Sequence, residues 1–309
     1  MRYSLLISAS LLASVQGHGL VTSIQGANGV TMPGLSVADG TPRDCSTNKC
    51  GSQADTAIIR DRELGTDKAS ALGRTQGNGP IDAATMIQNF MGTASAPTNN
   101  GSAASSGVED NLSGLNKASQ GKRSSFAIRG LGDLFSGLVG GGKGAGTKTE
   151  TAAETNVAAS AGTGSTSGLP TCADDGSITM TFRQINQDGA GPLTAAVDGT
   201  SGGTDASAFQ DAEVTQDVPG LGFQGLSLAT NTDFPVTVQM PAGMTCDATV
   251  AGVDNVCVVR VRNGAAAGPF GGSAAFTMSA TAQKRALAYR MKMKRGEQQG
   301  AKQQHRRFR

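Results

Sequence analysis

The sequence is poor in several residue types that many kinds of site require. It has no tryptophan, aromatic residues make up 4% of its 309 residues, and its two histidines, His18 and His305, stand at opposite ends. It has no Cys-x-x-Cys pair and no leucine-rich helical periodicity. These absences argue against a zinc site of the Cys/His type, a Ser-His-Asp triad and a helical bundle.

The residues that are abundant favour short strands joined by turns. Glycine occurs 44 times, and Val, Ile, Thr and Phe appear in short runs separated by Gly, Pro, Asn and Asp. That pattern is typical of β-strands with tight connections. A parallel α/β fold would need alternating helices, which this sequence does not offer. We therefore predict an all-β fold, a sandwich with one or two short helices.

The first 17 residues have the order of features typical of a secretory signal peptide. A short charged start, Met1–Ser4, precedes an apolar run, Leu5–Val15, and Val15-Gln16-Gly17 then offers a signal peptidase site. The apolar run is shorter than the about 20 residues of a membrane-spanning helix, and no later run is long enough. We predict a secreted, extracellular protein without a membrane span, whose mature chain begins at His18.

The charge is distributed very unevenly. Residues 281–309 hold ten Lys or Arg residues and one acid, which leaves an acidic body. We predict a basic, disordered tail over residues 283–309, and we do not expect nucleic acid as a partner. Two dibasic pairs, Lys284-Arg285 and Lys294-Arg295, are of the kind processed in the secretory pathway, so trimming of the tail is an alternative.

Five cysteines suit an oxidising compartment. Cys45 and Cys50 lie in one turn-rich loop, and Cys246 and Cys257 flank a turn between two apolar runs. We predict that each of these pairs forms a disulfide. Cys172 is left over, either as a free thiol or as half of an intermolecular bridge.

Composition divides the mature chain into three parts. Residues 18–92 and 168–282 together form one predicted β-sandwich domain. Residues 93–167, rich in Gly, Ser, Ala and Thr, read as a flexible low-complexity insertion with N-glycosylation sequons at Asn100 and Asn111. A helix is predicted over residues 81–91, where apolar residues recur at 83, 86, 87 and 90 between Pro80 and Gly92.

Several separate motifs occur in order along the chain: the mature start His18–Thr22, residues 58–63, residues 71–82, the helix end Asn89–Gly92, and residues 259–263 and 267–272. Together they resemble the Egh16-like family, a fungal group of secreted, infection-related proteins that includes appressorium-specific proteins. The resemblance implies a virulence-associated protein that acts at the host surface or on the cell wall. Relatives usually carry cysteine where this chain has Ser273, which implies that Cys172 has lost its partner.

The mature start also resembles that of lytic polysaccharide monooxygenases, which are immunoglobulin-like sandwiches with a copper ion in a histidine brace. An N-terminal His18 would offer copper an amine and an imidazole nitrogen. The brace needs a second histidine, and His305 lies far away in the tail. A weaker site with a carboxylate, Asp44 or Asp82, and a purely structural His18 both remain open.

Three kinds of function follow. The first, which we favour, is non-catalytic binding of a host surface or cell-wall polysaccharide. The second is a copper-binding protein or oxidase that uses His18, with copper as the one cofactor considered. The third is a hydrolase with two carboxylates about 5–10 Å apart. No catalytic residue and no oligomeric state is assigned from the sequence, and the carboxylates available are Asp61, Glu63, Asp174, Asp175, Asp211 and Glu213.

Overall fold

The computed structural model describes residues 18–47, 50–99, 146–149, 151–187, 189–220, 227, 229–265 and 268–307, with the backbone alone at 297 and 300–307. The predicted signal peptide (residues 1–17) and the two predicted glycosylation sites, Asn100 and Asn111, lie outside these residues. Secretion and glycosylation of this chain therefore remain predictions.

The described residues form a mostly β structure, as predicted. The strands are β1 (Gly19–Gln25), β2 (Thr31–Pro33), β3 (Ala57–Ile58), β4 (Arg74–Thr75), β5 (Gly79–Pro80), β6 (Thr147–Lys148), β7 (Ser177–Gln184), β8 (Thr194–Asp198), β9 (Phe209–Gln216), β10 (Thr232–Gln239), β11 (Ala248–Val250), β12 (Val253–Arg262) and β13 (Phe270–Phe276).

The strands pair antiparallel in one large sheet of order β2-β1-β7-β10-β9-β8-β12-β13-β3-β4-β5, with β11 on β12 and β6 on β10. The sheet curls so that β13 comes to lie against β1. A Cβ added to Gly272 would be 2.6 Å from the backbone nitrogen of Val21, so the small residues of β13 permit this approach. The immunoglobulin-like arrangement remains a prediction.

The core fills the inside of the curled sheet. In β12 the residues from Val256 to Val261 are buried, and in β13 every residue is buried. Both faces of these two strands are therefore covered, and apart from Arg260 the buried residues form continuous apolar or small runs, not an alternation. The largest apolar side chains that are fully buried include Phe90, Phe182, Phe270 and Phe276.

Helix α1 (Ala83–Phe90) confirms the helix predicted from apolar spacing. Ala83, Met86, Ile87 and Phe90 are all buried. Asp82 caps the helix, because its side chain accepts a hydrogen bond from the N–H of Ala84 at 2.9 Å. The helix closes one end of the core.

Part of the segment predicted as a flexible insertion packs on this helix. Two short helices, α2 (Asn156–Ala159) and α3 (Gly164–Ser167), follow residue 150. Val157 is buried, and its carbonyl accepts a hydrogen bond from Asn89 Nδ2 at 3.0 Å. Residues 151–167 thus belong to the packed body, and residues 100–145 lie outside the described part.

The stretch just before residue 100 and the stretch just after residue 150 both pair with one segment, residues 39–43. Asp39 bridges Thr98, and Pro42 bridges Ala153. Buried Arg43 holds the stretch after residue 150 to this segment, since its guanidinium contacts Glu154 at 3.0 Å and also Asp55 at 2.5 Å.

A helix, α4 (Ala280–Arg307), occupies the stretch predicted as a disordered tail. The prediction weighed the dense positive charge, but Ala, Lys, Arg, Gln and Met are all strong helix formers. Ala282 and Ala286 are buried against the body, and the residues beyond them become exposed. No helix within the described ranges is long and apolar enough to cross a membrane.

Two disulfides, Cys45–Cys50 and Cys246–Cys257, match the predicted pairs. Cys172 is free and buried. The N–H of Cys172 donates a hydrogen bond to the carbonyl of Thr277 at 2.9 Å, so Cys172 lies beside Thr277. Ser273 is four residues before Thr277, which places it about 13 Å away along the extended chain. A disulfide needs Cα atoms within about 7 Å, so the inference that Ser273 replaces a partner of Cys172 was wrong for this fold.

Candidate functional site

His18, the predicted first residue of the mature chain, is held at the start of strand β1. It is buried, with 1% of its surface exposed. Its ring packs on Phe270 of β13, with the ring centroids 4.4 Å apart. Its carbonyl accepts a hydrogen bond from the N–H of Ile185 at 2.9 Å. Packing and backbone hydrogen bonding together fix both the ring and the chain at this point.

Two nitrogen atoms of His18 face one side-chain amide. The backbone N–H donates to Asn186 Oδ1 at 2.6 Å. Asn186 Nδ2 lies 3.3 Å from Nδ1 of the imidazole. An amide N–H donates, so this contact is a hydrogen bond in the tautomer that leaves Nδ1 free to accept. The two atoms that would form a metal chelate therefore converge on Asn186.

The loop that carries Asn186 passes so close to His18 that it requires a glycine. A Cβ added to Gly189 would come within 2.0 Å of the His18 carbonyl oxygen. The N–H of Gly189 donates to the carbonyl of Asn186 at 3.0 Å, which closes the turn. This tight turn brings the Asn186 side chain to the start of β1.

The surroundings of His18 do not fit a three-nitrogen copper brace. No group of three or more His, Cys, Asp and Glu side chains in the described part of the chain could hold a metal ion. His305 belongs to α4, and its side chain is among those not described. Asp44 and Asp82 are exposed, and Asp82 is used as a helix cap. Of the residues considered for a copper site, these observations place only His18 at this point, beside the amide of Asn186.

The carboxylates considered for a hydrolase are engaged elsewhere. Buried Glu63 lies 3.0 Å from both Arg60 and Arg74. Burial acts to raise the pKa of the Glu63 carboxyl, but the hydrogen bonds from the two arginines outweigh it and hold this pKa below its ordinary value. A glycosidase acid must be protonated near neutral pH. Glu63 is therefore unsuited to that role, and its neighbour Asp61 pairs with Arg262 at 2.6 Å.

The other four carboxylates lie in two separate places. Asp174 accepts a hydrogen bond from Ser279 Oγ at 2.7 Å, and Asp175 accepts one from the N–H of Ser177 at 2.8 Å. Asp211 and Glu213 are exposed on β9. The first two stabilise a helix start and a turn, and the last two point to solvent from the exposed face of β9.

A cavity of about 520 Å³ opens at the N-terminal side of α1. Three stretches of chain that are distant in sequence surround it, and Thr85 of α1 stands at its edge. A cavity of this size is in the range of small-molecule sites in proteins. It is lined by Leu35, Ser36, Val37, Thr75, Gly77, Asn78, Gly79, Pro80, Ile81, Asp82, Thr85, Ala96, Pro97 and Thr98.

The polar side chains that line this cavity are hydroxyls, one amide and one carboxylate, with no Lys or Arg among them. Ser36 is 7% exposed, and its hydroxyl has no hydrogen-bond partner among the described residues. A buried hydroxyl without a partner is unusual in a folded protein and calls for an explanation. Around it stand the hydroxyls of Thr75 and Thr85 and the amide of Asn78, while Leu35 and Val37 supply apolar surface.

The loop over residues 73–81, which lines part of the cavity, is anchored by backbone hydrogen bonds. The N–H of Gly77 donates to Ala54 at 2.9 Å, and the N–H of Ile81 donates to Gly73 at 3.1 Å. At the tip, the N–H of Asn78 donates to Thr75 Oγ1 at 2.9 Å. Gly79 has φ of +74°, a left-handed conformation that favours glycine.

Sequence reasoning singled out residues 71–82 for the resemblance they carry, but it assigned them no role. Asn186 and Ser36 were missed entirely. A glycine-rich turn next to a capped helix, Gly77-Asn78-Gly79-Pro80 before α1, was the one local signal of an open loop. The pairing of that loop with residues 35–37 rests on long-range contacts, which have no spacing signature.

Comparison with known proteins supplies the family. A model described as "Egh16-like virulence factor" matches residues 16–271. The chain is 54% identical to the "Appressoria-specific virulence factor GAS2" of Pyricularia oryzae over 297 residues, which is 96% of each chain. It is 38% identical to "Appressoria-specific virulence factor GAS1" of the same fungus over 164 residues, 52% of this chain and 61% of that relative. No solved structure matches. On this evidence the chain belongs to the Egh16-like virulence factor family.

Proposed function

We propose that this protein is a secreted, virulence-associated protein that binds a neutral cell-wall polysaccharide without cleaving it. The relatives named as appressoria-specific virulence factors support a role in infection. The two disulfides are consistent with an extracellular location. The observation that carries the binding proposal is the 520 Å³ cavity together with the buried hydroxyl of Ser36, which has no hydrogen-bond partner among the described residues.

The chemistry of the cavity suits sugar hydroxyls. A neutral saccharide presents many groups that both donate and accept hydrogen bonds, and Ser36, Thr75 and Thr85 offer matching hydroxyls. A ligand hydroxyl at Ser36 would supply the partner that this buried group lacks. The carboxylate of Asp82 adds an acceptor, although one of its oxygens already caps α1. Leu35, Val37 and Pro97 can contact the apolar faces of a sugar ring.

The carboxylates support binding without cleavage. Glu63 and Asp61 are paired with arginines, and neither Glu63 nor Asp61 lines the cavity. Asp82 is the sole carboxylate among the described lining residues, whereas glycoside hydrolysis needs two.

The test blocks the cavity from its edge. Thr85→Phe places a large side chain at the mouth, and because Thr85 is exposed on α1 the change should leave the fold intact. Gln88→Phe is the matched control, since Gln88 is exposed on the same helix and does not line the cavity. Secreted wild-type protein and both variants are incubated with insoluble chitin, β-glucan and cellulose, and the bound fraction and soluble products are measured.

We expect wild type and Gln88→Phe to bind one of these polymers and Thr85→Phe to lose that binding, with no soluble oligosaccharide released. Equal binding by Thr85→Phe would remove the cavity from the proposal. No binding to any polymer by wild type, or release of products, would overturn non-catalytic polysaccharide binding itself.

A copper site at His18 is the second candidate. It is favoured by the convergence of the His18 nitrogen and Nδ1 on Asn186, which is the arrangement of a two-nitrogen chelate. The test is a Cu(II) titration of protein that begins at His18 and of protein that carries one extra N-terminal residue. Tighter binding by the first would support the chelate, and equal weak binding by both would end it.

A further inference from the structure

Helix α4 contains three dibasic pairs. The side chains of the third, Arg306-Arg307, are not described, and the first two lie in very different surroundings. Lys284-Arg285 lies in its second turn, and Lys294-Arg295 lies about three turns later. Endoproteases of the secretory pathway that recognise dibasic pairs bind their substrate in an extended conformation. A helical site is therefore cut only after local unfolding, and the cost of that unfolding decides between the two pairs.

The first pair is tied to the body of the protein. The start of the helix is capped by Ser279, whose hydroxyl accepts from the N–H of Ala282 at 3.1 Å and donates to Asp174 at 2.7 Å. Arg285 Nη1 donates to the carbonyl of Asp174 at 2.8 Å. Ala282 and Ala286, on either side of the pair, are buried. Opening this turn would break all of these contacts.

Docking of the helix continues for one further turn. Arg290 Nε donates to the carbonyl of Gly243 at 2.6 Å. A Cβ added to Gly243 would be 2.8 Å from the ring of Tyr289, which shows how closely the helix approaches the loop before β11. Along one side of this contact runs a groove of about 290 Å³ lined by Met240, Met278 and Arg285.

The second pair has no such support. Residues 291–296 are all exposed. Lys294 and Arg295 make no hydrogen bond or ion pair with any side chain that the structure describes. Gly296 and Gly300 follow, and each glycine inside a helix costs about 1 kcal/mol relative to alanine. The helix beyond Met291 is held by its own backbone bonds, and such a segment opens easily in water.

We propose that the protein is cut in the secretory pathway between Arg295 and Gly296, by a serine endoprotease specific for dibasic pairs. Water adds across this peptide bond, so that Arg295 gains the new carboxylate and Gly296 the new amine. The docked part of α4, with Lys284-Arg285, stays on the body, and residues 296–309 are released. Cleavage in the cell depends on the proposed secretion of the protein, whereas the accessibility of the peptide bond depends only on the structure of α4.

The experiment therefore has two arms. In the first, the full chain is expressed with its own first 17 residues in a fungal host, and the intact mass of the secreted protein is measured. In the second, purified full-length protein is treated with a dibasic-specific endoprotease, and the two cuts are timed by mass spectrometry. Arg295→Gln is the test variant and Arg285→Gln the matched control, because both changes remove one charge from the same helix.

We expect secreted wild type and Arg285→Gln to end at Arg295, or a few residues earlier where basic residues are trimmed from the new end. Arg295→Gln should extend beyond Gly296, whether or not it is also cut after the dibasic pair Arg306-Arg307. In the purified protein, the cut after Arg295 should be at least about tenfold faster than the cut after Arg285, because its local opening costs less. A secreted wild type that retains Gly296, or a faster cut after Arg285 in the purified protein, would overturn the proposal.

Discussion

The side-chain amide of Asn186 bridges the backbone nitrogen and the ring nitrogen of His18, at 2.6 and 3.3 Å. One residue thereby fixes the direction of the chain and the rotation of the imidazole at the predicted mature N-terminus. Cleavage after Gly17 would turn the backbone N–H into an ammonium group, which makes a stronger hydrogen bond to the same oxygen.

Asn186→Ala should destabilise the protein by about 1–3 kcal/mol, because it leaves buried polar atoms of His18 without this partner. Chemical denaturation at neutral pH measures the change in the free energy of unfolding. Gln210→Ala, at an exposed position on β9, should change it by less than about 0.5 kcal/mol. Equal small effects of both substitutions would mean that Asn186 does not secure His18.

Ser36→Ala should leave the stability unchanged or raise it slightly, since the hydroxyl that it removes is buried without a partner among the described residues. Binding of the polysaccharide identified with wild type should weaken by about fivefold, the loss of one ordinary hydrogen bond. Thermal unfolding and a binding isotherm measure the two effects. Unchanged affinity would show that the ligand does not contact Ser36.

Acidification should weaken the attachment of residues 151–167. Burial acts to raise the pKa of the Glu154 carboxyl, but Arg43 and the N–H of Asn156 outweigh it, so the pKa lies below its ordinary 4.5. A group whose pKa is lowered by folding stabilises the protein above the unfolded pKa, and this contribution is lost as the pH falls through the folded value. The melting temperature should therefore drop below about pH 4.5.

Glu154→Gln tests the origin of that drop. The variant should be less stable than wild type at pH 6, because Arg43 loses one of its two carboxylate partners, and it should lose less stability on going to pH 3. Glu213→Gln, exposed on β9, should follow the wild-type curve. Parallel curves for wild type and Glu154→Gln would assign the acid sensitivity to other groups.

Replacement of both Cys246 and Cys257 by alanine should cost about 3 kcal/mol, the chain-entropy value for a loop of this length. The bond joins the region before β11 to the middle of β12, so its loss should loosen this edge of the sheet. Urea denaturation measures the cost. A change below about 1 kcal/mol would mean that packing alone holds β11 in place.

Cys172 should resist alkylation in the native protein. Burial, aided by the charges of Asp175 and Asp174, raises the pKa of its thiol, and the thiolate is the reactive form. Iodoacetamide followed by mass spectrometry should label Cys172 after denaturation and leave it unlabelled before. Rapid labelling of the folded protein would contradict the buried position.

Local patterns predicted those parts of the fold that depend on nearby residues. The spacing of Met86, Ile87 and Phe90 predicted α1, and the two disulfides followed from cysteines on either side of turns. Strand β9 was missed because its apolar residues are few and only half-buried. Helix α4 was missed because charge density was weighed above helix propensity.

The candidate sites were harder to predict for a different reason. His18 was identified because a signal peptide marks it, but Asn186 lies 168 residues away and no local pattern connects the two. Likewise, Ser36 and Thr85 meet at one cavity through the curl of the sheet. Such pairings are set by tertiary packing. The sequence therefore pointed to His18 as a candidate residue but not to the residue that lies against it.

The bridges Asp39 to Thr98 and Pro42 to Ala153 bear on which insertions and deletions this protein can tolerate. They hold the two ends of the intervening stretch close together, whatever its length. Loop closure becomes only about 0.6 kcal/mol more costly with each doubling of loop length. This position can therefore gain or lose many residues, or accept a fused reporter domain, while the cavity and the start of β1 keep their geometry.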